Sequence, residues 1–401
     1  MSFDIRTSLS VRVEASDPAT DLLGAWTPGS GFFFEHARGG VVGVDAAAVV
    51  TVAPGPDQVG RGAALARELL ERCDGETIIV GAFPFDGRTP AVLTVPRLTL
   101  RRLADGRIMR ITVGGPCDVP AFERVEHARA EVRTSPVPEP EAYVEAVKLA
   151  RERIAAGELD KVVLARMLVA HADHDFDRRA LLARLRDTEP DAFVFAAGGF
   201  IGATPELLVR RLGEQLETTP LAGTAPRGTG SSADEAAARA LLASSKDRAE
   251  HALVVDAVRA ALTPVCSSLD VPAEPVTVCT SKVWHLATPV LGRLCAPAPD
   301  ALALVARLHP TPAVCGTPTH AAMTAIAELE RIDRTLYAGA VGWMDSRGDG
   351  EWAVALRCAE VRGRMAMLFA GAGIVADSDP DAELAETDAK FRAMLDALGY
   401  A

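Results

Sequence analysis

The sequence predicts an α+β fold rather than a doubly wound parallel sheet, and three observations support this. Strand-like runs outnumber strand–helix–strand units along the 401 residues. Near the C-terminus three strand-like runs, 337–345, 351–361 and 364–370, follow one another without a helical segment between them. The first two are joined by SRGDG, residues 346–350, a composition typical of a hairpin turn. Hydrophobic residues make up 49% of the chain, which is enough for a large core.

The first 135 residues show secondary-structure patterns but no chemical motif. Residues 8–15 (SLSVRVEA) alternate as in a strand, residues 57–73 have helical spacing, and residues 77–83 (TIIVGAF) are typical of a buried strand. The Pro-rich stretch SPVPEP, 135–140, then interrupts the pattern. Because it is short, we interpret it as a surface crossover rather than a linker between domains.

Stronger periodic patterns follow this break. Helices are predicted at 141–160, ending near Gly157, at 243–262, at 319–330 and from Pro380 onward. Strands are predicted at 161–172 and 281–291, and 193–211 is predicted to form a strand, a tight turn and a second strand. No internal repeat is present.

Composition and charge exclude several classes of protein. The net charge is −12 without a block of like charges, so nucleic acid and anionic membranes are poor partners. The N-terminal stretch MSFDIRTSLSVRVEAS lacks the apolar core of a secretory signal. The sequence contains no run of about 18 apolar residues, so no membrane-spanning helix is predicted. We therefore expect a cytoplasmic protein that binds neither nucleic acid nor a membrane.

The cysteines do not indicate a disulfide framework or a zinc site. There are seven, they are scattered, and none forms a C-x-x-C pair. We expect reduced, mostly buried thiols. The positions are Cys73, Cys117, Cys266, Cys279, Cys295, Cys315 and Cys358.

An unusual glycine and acid-rich stretch, AGAGIVADSDPDAELAETDAK, spans residues 370–390. Gly371 and Gly373 begin a G-x-G-x-x-A pattern, but a dinucleotide site needs a helix directly after the glycines and a second strand, for which too few residues remain. A solvated helix N-terminus explains the aspartates well. It explains Glu383 and Glu386 less well, because like charges three residues apart lie on one helical face.

A second acidic pair makes a metal site a serious alternative. Asp247 and Glu250 are also three residues apart, on the predicted helix 243–262. If the two helices face each other, four carboxylates would repel strongly unless a cation lies between them. Oxygen ligands without His or Cys at ligand spacing favour Mg²⁺ over zinc. His251, beside Glu250, points elsewhere on the helix, so we expect it either to belong to the core or to support the metal ligands without binding the ion itself.

Several cations and one further carboxylate have both a structural and a functional interpretation. Arg357, within the strand-like run 351–361, and Lys390, four residues after Glu386, could form ordinary ion pairs or an anion site together with the backbone amides of Gly371 and Gly373. Lys161 could cap a strand end or act, desolvated, as a general base. Glu206 could be an exposed turn residue or a buried general acid. Physical arguments alone do not choose between these interpretations.

Eight motifs follow one another over about 250 residues, from the helix at 141 to the end. They are LDKVVLAR (159–166), FIGATPELLVR (200–210), TPLAGTAPR (219–227), KDRAEH (246–251), VWHLATP (283–289), HPTPAVCGTP (309–318), GEWAVALRCAE (350–360) and FAGAGIVADSDPDAELAETDAK (369–390). In this order they resemble the chorismate-utilising enzymes, and most of all the isochorismate synthases of the siderophore type. Two small departures are Ser245, where related sequences often have Glu, and Thr204, where Ser is commoner.

The resemblance implies a single domain over 1–401, with two packed, mostly antiparallel sheets flanked by helices. It comprises an N-terminal part, 1–135, without chemical motifs and a catalytic part, 141–401. The resemblance also implies chorismate as substrate, Mg²⁺ as cofactor and a monomer. It implies Glu250 and Glu386 as direct metal ligands and Asp247 and Glu383 as holders of metal-bound water. The substrate-binding residues that it implies are Arg357, Lys390, Gly371 and Gly373 for the carboxylates, and Gly223, Thr224, His285 and Ala313 for the ring.

The implied reaction is the reversible, Mg²⁺-dependent conversion of chorismate to isochorismate, feeding catechol siderophore synthesis. Neutral Lys161 would activate water for attack at ring C2, and protonated Glu206 would donate to the departing C4 hydroxyl. Salicylate synthases, which go on to eliminate pyruvate, and menaquinone-pathway enzymes remain alternatives. Lys161 argues against anthranilate synthase and Ala222 against aminodeoxychorismate synthase, so no glutaminase subunit is expected. A binding protein without catalysis is a further alternative, against which the intact Lys161 and Glu206 argue.

Overall fold

The secondary structure alternates long antiparallel strands with a small number of helices. The computed structural model describes residues 8–119 and 131–400. The strands in these residues are Val11–Ser16 (β1), Phe32–His36 (β2), Gly39–Val52 (β3), Ile78–Phe83 (β4), Ala91–Arg102 (β5), Ile108–Val113 (β6), Val132–Val137 (β7), Lys161–Ala172 (β8), Phe193–Ala197 (β9), Phe200–Thr204 (β10), Leu207–Leu212 (β11), Gln215–Thr218 (β12), Leu221–Pro226 (β13), Cys266–Asp270 (β14), Val276–Cys279 (β15), Val283–Ala287 (β16), Val290–Leu294 (β17), Gly316–Thr317 (β18), Ala340–Asp345 (β19), Gly350–Val354 (β20), Cys358–Arg362 (β21) and Met365–Ile374 (β22). The α-helices are Leu22–Ala25 (α1), Gln58–Glu71 (α2), Pro140–Ala155 (α3), Arg178–Thr188 (α4), Ser231–Ala243 (α5), Ser245–Leu262 (α6), Ala301–Leu308 (α7), Thr319–Leu329 (α8) and Pro380–Leu398 (α9).

Nineteen of these strands form one curled antiparallel network with two halves. The first half runs β14-β17-β12-β11-β20-β19-β4-β5, and β6 and then β1 continue from β5. The second half runs β3-β2-β9-β10-β21-β22-β8-β7, and the short β18 also pairs with β8. The long strands β3 and β5 pair with each other and join the halves, with an irregularity between Ala46 and Ala48. The predicted α+β fold with two packed antiparallel sheets is confirmed, and the sheets are continuous through this pair.

The main core lies between the two halves. Phe83 and Trp352 of the first half pack with ring centroids 5.8 Å apart, and they share a buried cluster with Phe34 and Phe195 of the second half. Adjacent residues of a strand point to opposite faces. Phe33 therefore belongs to a second buried cluster, which packs beneath α1, α4 and α9.

The N-terminal part is built into the same sheet as the motif-bearing part. Strand β4 pairs with β19, and β2 pairs with β9. The Pro-rich stretch 135–140 is not a separate segment, because Ser135 to Val137 complete β7 and helix α3 begins at Pro140. This shared hydrogen bonding favours the single-domain prediction.

Three predicted strands prove to be interrupted. The run 281–291 is two strands, β16 and β17, separated by Thr288 and Pro289, since Pro cannot donate to a ladder. The run 193–211 contains three strands rather than two. The run 351–361 is divided between β20 and β21, so the prediction that Arg357 lies inside a strand is wrong.

Two further expectations can be compared with the described residues. No helix within them is long and apolar enough to cross a membrane. All seven cysteines are free thiols, but Cys315 and Cys358 alone are buried, while Cys279 and Cys295 are exposed. The expectation of mostly buried thiols is therefore wrong.

Candidate active site

Lys161 begins β8, which lies between two flanking strands, and is buried. Residues 161 and 162 pair with β18 on one side, and Val162 pairs with Ile374 of β22 on the other. The Lys161 side chain is 0% exposed, and its Nζ lies 2.9 Å from Oε1 of Glu250. The interpretation of Lys161 as a surface strand cap is therefore wrong.

Glu206 lies in the two-residue break between β10 and β11 and is buried. Its backbone N–H donates to Oγ1 of Thr204 at 3.3 Å, so the threonine that departs from the common serine still supplies this hydroxyl. Burial raises the pKa of Glu206 to about 8, although the positive charges of Arg357, Lys161 and Lys390 act to lower it. The carboxyl is consequently protonated near pH 7, and the interpretation as an exposed turn residue is wrong.

Helix α6 brings the first acidic pair to this place. Ser244 caps the helix, because its Oγ accepts from the N–H of Asp247 at 3.3 Å and in turn donates to the Asp247 carboxylate. One turn later Glu250 is buried against β22. A Cβ on Gly373 would overlap Oε1 of Glu250, so this position needs glycine to make room for the carboxylate.

Helix α9 brings the second pair. It begins as predicted, with Pro380 at the first helical position and with the Asp379 carboxylate accepting from the N–H of Ala382 at 2.9 Å. Glu383 is 2% exposed and accepts from Lys246 of α6 at 2.8 Å. Glu386 accepts from Lys390 at 2.6 Å.

The four carboxylates suit a hard divalent cation in kind, but they do not form a ready cluster. The contact between Lys246 of α6 and Glu383 of α9 shows that the two helices face each other. Burial raises the pKa of Glu386, the charge of Lys390 lowers it, and the charges of Glu383 and Glu250 raise it. The donors are oxygens only, which fits Mg²⁺. Residues 8–119 and 131–400 nevertheless contain no group of three or more potential metal ligands. Lysines contact three of the four carboxylates.

Gly371 and Gly373 are residues of β22, which continues beyond the predicted strand 364–370 as far as Ile374. Their cross-strand partners on β8, Ala165 and Val163, donate their N–H groups away from β22, to Glu330 at 2.7 Å and to the carbonyl of Cys315 at 2.8 Å. In an antiparallel ladder this places the peptide groups of both glycines on the side opposite β8. Lys390 donates to the Gly371 carbonyl there at 2.8 Å.

Arg357 and His285 form a buried polar pair. Arg357 has φ +47°, a left-handed conformation that costs about 1–3 kcal/mol in a residue other than glycine. Its Nη2 donates to Nε2 of His285 at 2.9 Å. An Nε2 that accepts requires a neutral imidazole with its proton on Nδ1, which faces Thr224 Oγ1 at 3.1 Å and the Gly223 carbonyl at 3.3 Å. Burial and the charge of Arg357 agree, because they hold the pKa of His285 well below 6.5.

The remaining predicted residues are less tightly tied to this cluster. Gly223 has φ +78°, and a Cβ on it would lie 3.1 Å from Cβ of Asp247, so β13 approaches α6 there. Ala313 is half-buried in the loop between α7 and β18, and its place in a ring pocket stays a prediction. The His251 ring is buried, and its Nε2 lies 2.7 Å from Thr288 Oγ1, which fits the first of its two expected roles, a place in the core.

Two residues near the site were missed by the sequence analysis. Tyr337 is buried, and its hydroxyl would lie 3.1 Å from a Cβ on Gly371. Lys246 belongs to the motif KDRAEH, but its partner Glu383 is 137 residues away. No local pattern could have indicated either contact. By contrast, a cleft of about 930 Å³ between β11, β12, β14 and β17 contains none of the predicted residues.

Comparison with known proteins shows the family. A family model described as chorismate binding enzyme matches residues 119–399. The isochorismate synthase DhbC of Bacillus subtilis is 39% identical over 98% of this chain and 99% of its own length. A putative isochorismate synthase MenF of Mycobacterium tuberculosis is 45% identical over 80% of this chain and 86% of its own.

A solved structure has the same architecture. It is the putative 2,3-dihydroxybenzoate-specific isochorismate synthase DhbC of Bacillus anthracis, with a TM-score of 0.84 and 38% identity, covering 95% of this chain and 99% of that one. The chain belongs to the family of chorismate-binding enzymes.

Proposed function

We propose that this protein is an isochorismate synthase, an isomerase that interconverts chorismate and isochorismate. The observation that carries the proposal is Glu206, a buried carboxyl with a pKa of about 8 in one electrostatic neighbourhood with Lys161, Arg357 and Lys390. Such a group is an acid at neutral pH, and the nearby cations Arg357 and Lys390 suit a substrate with two carboxylates. The names of full-length relatives support the same reaction.

Lys161 and Glu206 would carry the two proton transfers. Neutral Lys161 would remove a proton from the water that attacks ring C2, and Glu206 would donate its proton to the departing C4 hydroxyl. Both side chains are buried, at 0% and 3% exposed, which keeps bulk water from these proton transfers. The double bonds shift, and the step balances without a redox partner.

Mg²⁺ would be held by Glu250 and Glu386 directly and by Asp247 and Glu383 through water. When bound, it would neutralise the ring carboxylate of chorismate. The chain itself supplies the space, because Gly373 leaves room for Glu250.

Substrate binding would use the cations and the open edge of β22. Arg357, Lys390 and the peptide groups of Gly371 and Gly373 would hold the carboxylates, and this fits the peptide groups because they point away from β8. Gly223, Thr224, His285 and Ala313 would line the ring. The neutral tautomer of His285 adds no charge beside Arg357.

We also propose that the product feeds synthesis of 2,3-dihydroxybenzoate for a catechol siderophore, by likeness to the Bacillus proteins. The protein would work as a monomer in the cytoplasm, without a glutaminase subunit. The similarity to a putative MenF keeps the menaquinone pathway as the alternative.

A product assay tests the proposal. Purified protein is incubated with chorismate, with and without Mg²⁺, then with ammonium, and products are separated by chromatography. Isochorismate alone, formed only with Mg²⁺, is the expected result. Salicylate with pyruvate would make the protein a salicylate synthase, an amino product would place it among the aminating enzymes, and no conversion would leave a binding protein.

A further inference from the structure

Three lysines contact three of the four facing carboxylates, one each. Lys161 reaches Glu250 at 2.9 Å, Lys390 reaches Glu386 at 2.6 Å, and Lys246 reaches Glu383 at 2.8 Å. The fourth carboxylate accepts from the hydroxyl of Ser244. The charges of Lys246 and Lys390 thus offset part of the negative charge between α6 and α9.

Lys246 differs from the other two lysines in its freedom to move. Its side chain is 35% exposed, whereas those of Lys161 and Lys390 are 0% and 11% exposed. Lys390 also donates to the carbonyl of Gly371. Within the described residues Glu383 is the one hydrogen-bond partner of Lys246, so a swing toward solvent breaks a single bond.

The position of Lys246 gives its charge a wide influence. It joins α6 to α9 directly, and besides Glu383 it lies within the electrostatic reach of Glu250 and Glu386. A unit positive charge at this point therefore repels any cation that these carboxylates attract. At the same time it relieves the repulsion among them.

We propose that Lys246 is an internal competitor of Mg²⁺, because its ammonium group and the metal ion contend for the Glu383 carboxylate. The inference rests on the proposed metal site. Its consequence is that Lys246 weakens Mg²⁺ binding while stabilising the contact between α6 and α9. Binding of the ion then requires the lysine to turn out to solvent, and its return helps the ion to leave.

Titration calorimetry with Mg²⁺ alone, at pH 8 and without chorismate, tests this on the full chain. Lys246→Met should bind Mg²⁺ roughly tenfold more tightly than the unmodified protein. The variant loses the repulsion between a unit charge and a divalent ion, which solvent reduces almost as strongly here as in bulk water. Lys246→Arg keeps the charge and should change the affinity little. Lys282→Met is the matched control, because Lys282 has the same 35% exposure and pairs with Asp396 of α9 at 2.5 Å, far along the helix from the carboxylates.

Thermal unfolding gives a second readout. Without divalent ions Lys246→Met should melt below the unmodified protein, and added Mg²⁺ should remove the difference, whereas any loss in Lys282→Met should be independent of Mg²⁺. Equal or weaker Mg²⁺ binding by Lys246→Met, or no binding by either protein, overturns the proposal. If isochorismate forms only with Mg²⁺ but Lys246→Met has the same Mg²⁺ affinity as the unmodified protein, only the role of Lys246 as a competitor is rejected. If Lys246→Met binds Mg²⁺ more tightly but no isochorismate forms, only the proposed reaction is rejected.

Discussion

The folded protein keeps the Glu206 carboxyl protonated at a pH where an exposed glutamate would be ionised. Its ordinary pKa is 4.5, and burial raises it to about 8 despite three nearby cations. Because the folded protein binds this proton more tightly than the unfolded chain does, the stability it contributes is complete below about pH 4.5 and is lost as pH rises toward 8. The folded protein is therefore less stable at neutral pH than at lower pH on account of Glu206, and this accompanies the presence of a protonated acid in the site.

Replacing Glu206 with Gln should separate activity from stability. Turnover should fall at least about a hundredfold, because the proton donor is gone. At pH 8 the free energy of unfolding of the variant, measured in urea, should nevertheless exceed that of the unmodified protein by at most about 5 kcal/mol. Each pKa unit corresponds to about 1.4 kcal/mol. The advantage should vanish near pH 4.5, and the kcat/KM of the unmodified protein should decline above pH 8. A stability difference that does not vary with pH would contradict the assigned burial effect.

Gly373 is predicted to be needed for space rather than for flexibility, since its φ is not left-handed. In Gly373→Ala the new Cβ overlaps the carboxylate of Glu250, which is the far end of a flexible side chain and can move. The fold should survive, and Mg²⁺ binding measured by calorimetry should weaken at least about tenfold.

Gly24→Ala is a suitable control for this variant, because the nearest atom to its Cβ would be 3.7 Å away. If Gly373→Ala binds Mg²⁺ as the unmodified protein does, Glu250 is not a metal ligand in the proposed arrangement.

At the level of single residues, sequence reasoning identified chemical types but not surroundings. Lys161 and Glu206 could be named only through the resemblance, since a lysine before a strand and a glutamate after a turn are usually exposed. Their burial depends on β18, β22 and the sheet edge at β11, which are distant in the chain. The left-handed Arg357 was invisible because no glycine marks the break between β20 and β21.

Among the secondary-structure elements, α9 depends on one buried arginine for its orientation. Arg166 of β8 donates through Nε to Thr387 Oγ1 at 2.7 Å and also to the Asp388 carboxylate. Its guanidinium lies 5.1 Å from the centre of the Phe391 ring. These contacts fix the side of α9 that carries Thr387 against β8. Glu383 lies one turn before Thr387 on the same side of the helix, so the same contacts set where the carboxylates of α9 lie.

Thr387→Val should loosen this orientation without changing the shape of the side chain. Loss of the hydroxyl leaves a buried guanidinium N–H without its acceptor, which costs about 1–3 kcal/mol in the free energy of unfolding. The KM for chorismate should rise with it, because α9 carries Lys390. Thr324→Val on the exposed side of α8, where the hydroxyl donates to the His320 carbonyl, should leave both quantities nearly unchanged. Equal effects of the two variants would show that Arg166 does not set the position of α9.

Element boundaries were predictable where local chemistry marks them. The N-terminus of α9 follows from Asp379 and Pro380, and the helical face of α6 from its apolar spacing. The breaks within 281–291 and 351–361 were missed because the apolar pattern continues across them. Tertiary pairing decides these breaks, since β16 joins the small sheet with β13 and β15 whereas β17 joins the large one.

Over the whole molecule, the curled sheet brings together parts of the chain that lie far apart in sequence. Lys161 begins β8, and its neighbour β22 leads directly into α9, more than 200 residues later. The α+β class could be predicted from strand spacing, but the facing of α6 and α9 was only a hypothesis. It depends on the pairing of β8 with β22 and on the approach of β13 to α6, which no local pattern encodes.

The proposed metal ligands come from α6 and α9, which are far apart in the sequence but face each other in the structure. Mg²⁺ should therefore stabilise the whole fold. An ion that binds only the folded state adds about 2.7 kcal/mol at a hundredfold excess over its Kd. The melting temperature should therefore rise by a few degrees with Mg²⁺ and return to its starting value with a chelator.

Glu386→Ala should abolish this rise, since it removes a ligand from α9. Glu328→Ala, an exposed change in α8 that breaks only the pair with Arg153, should keep the rise. A rise that persists in Glu386→Ala would place the ion elsewhere, and the carboxylates of α6 and α9 would then be balanced by their lysines alone.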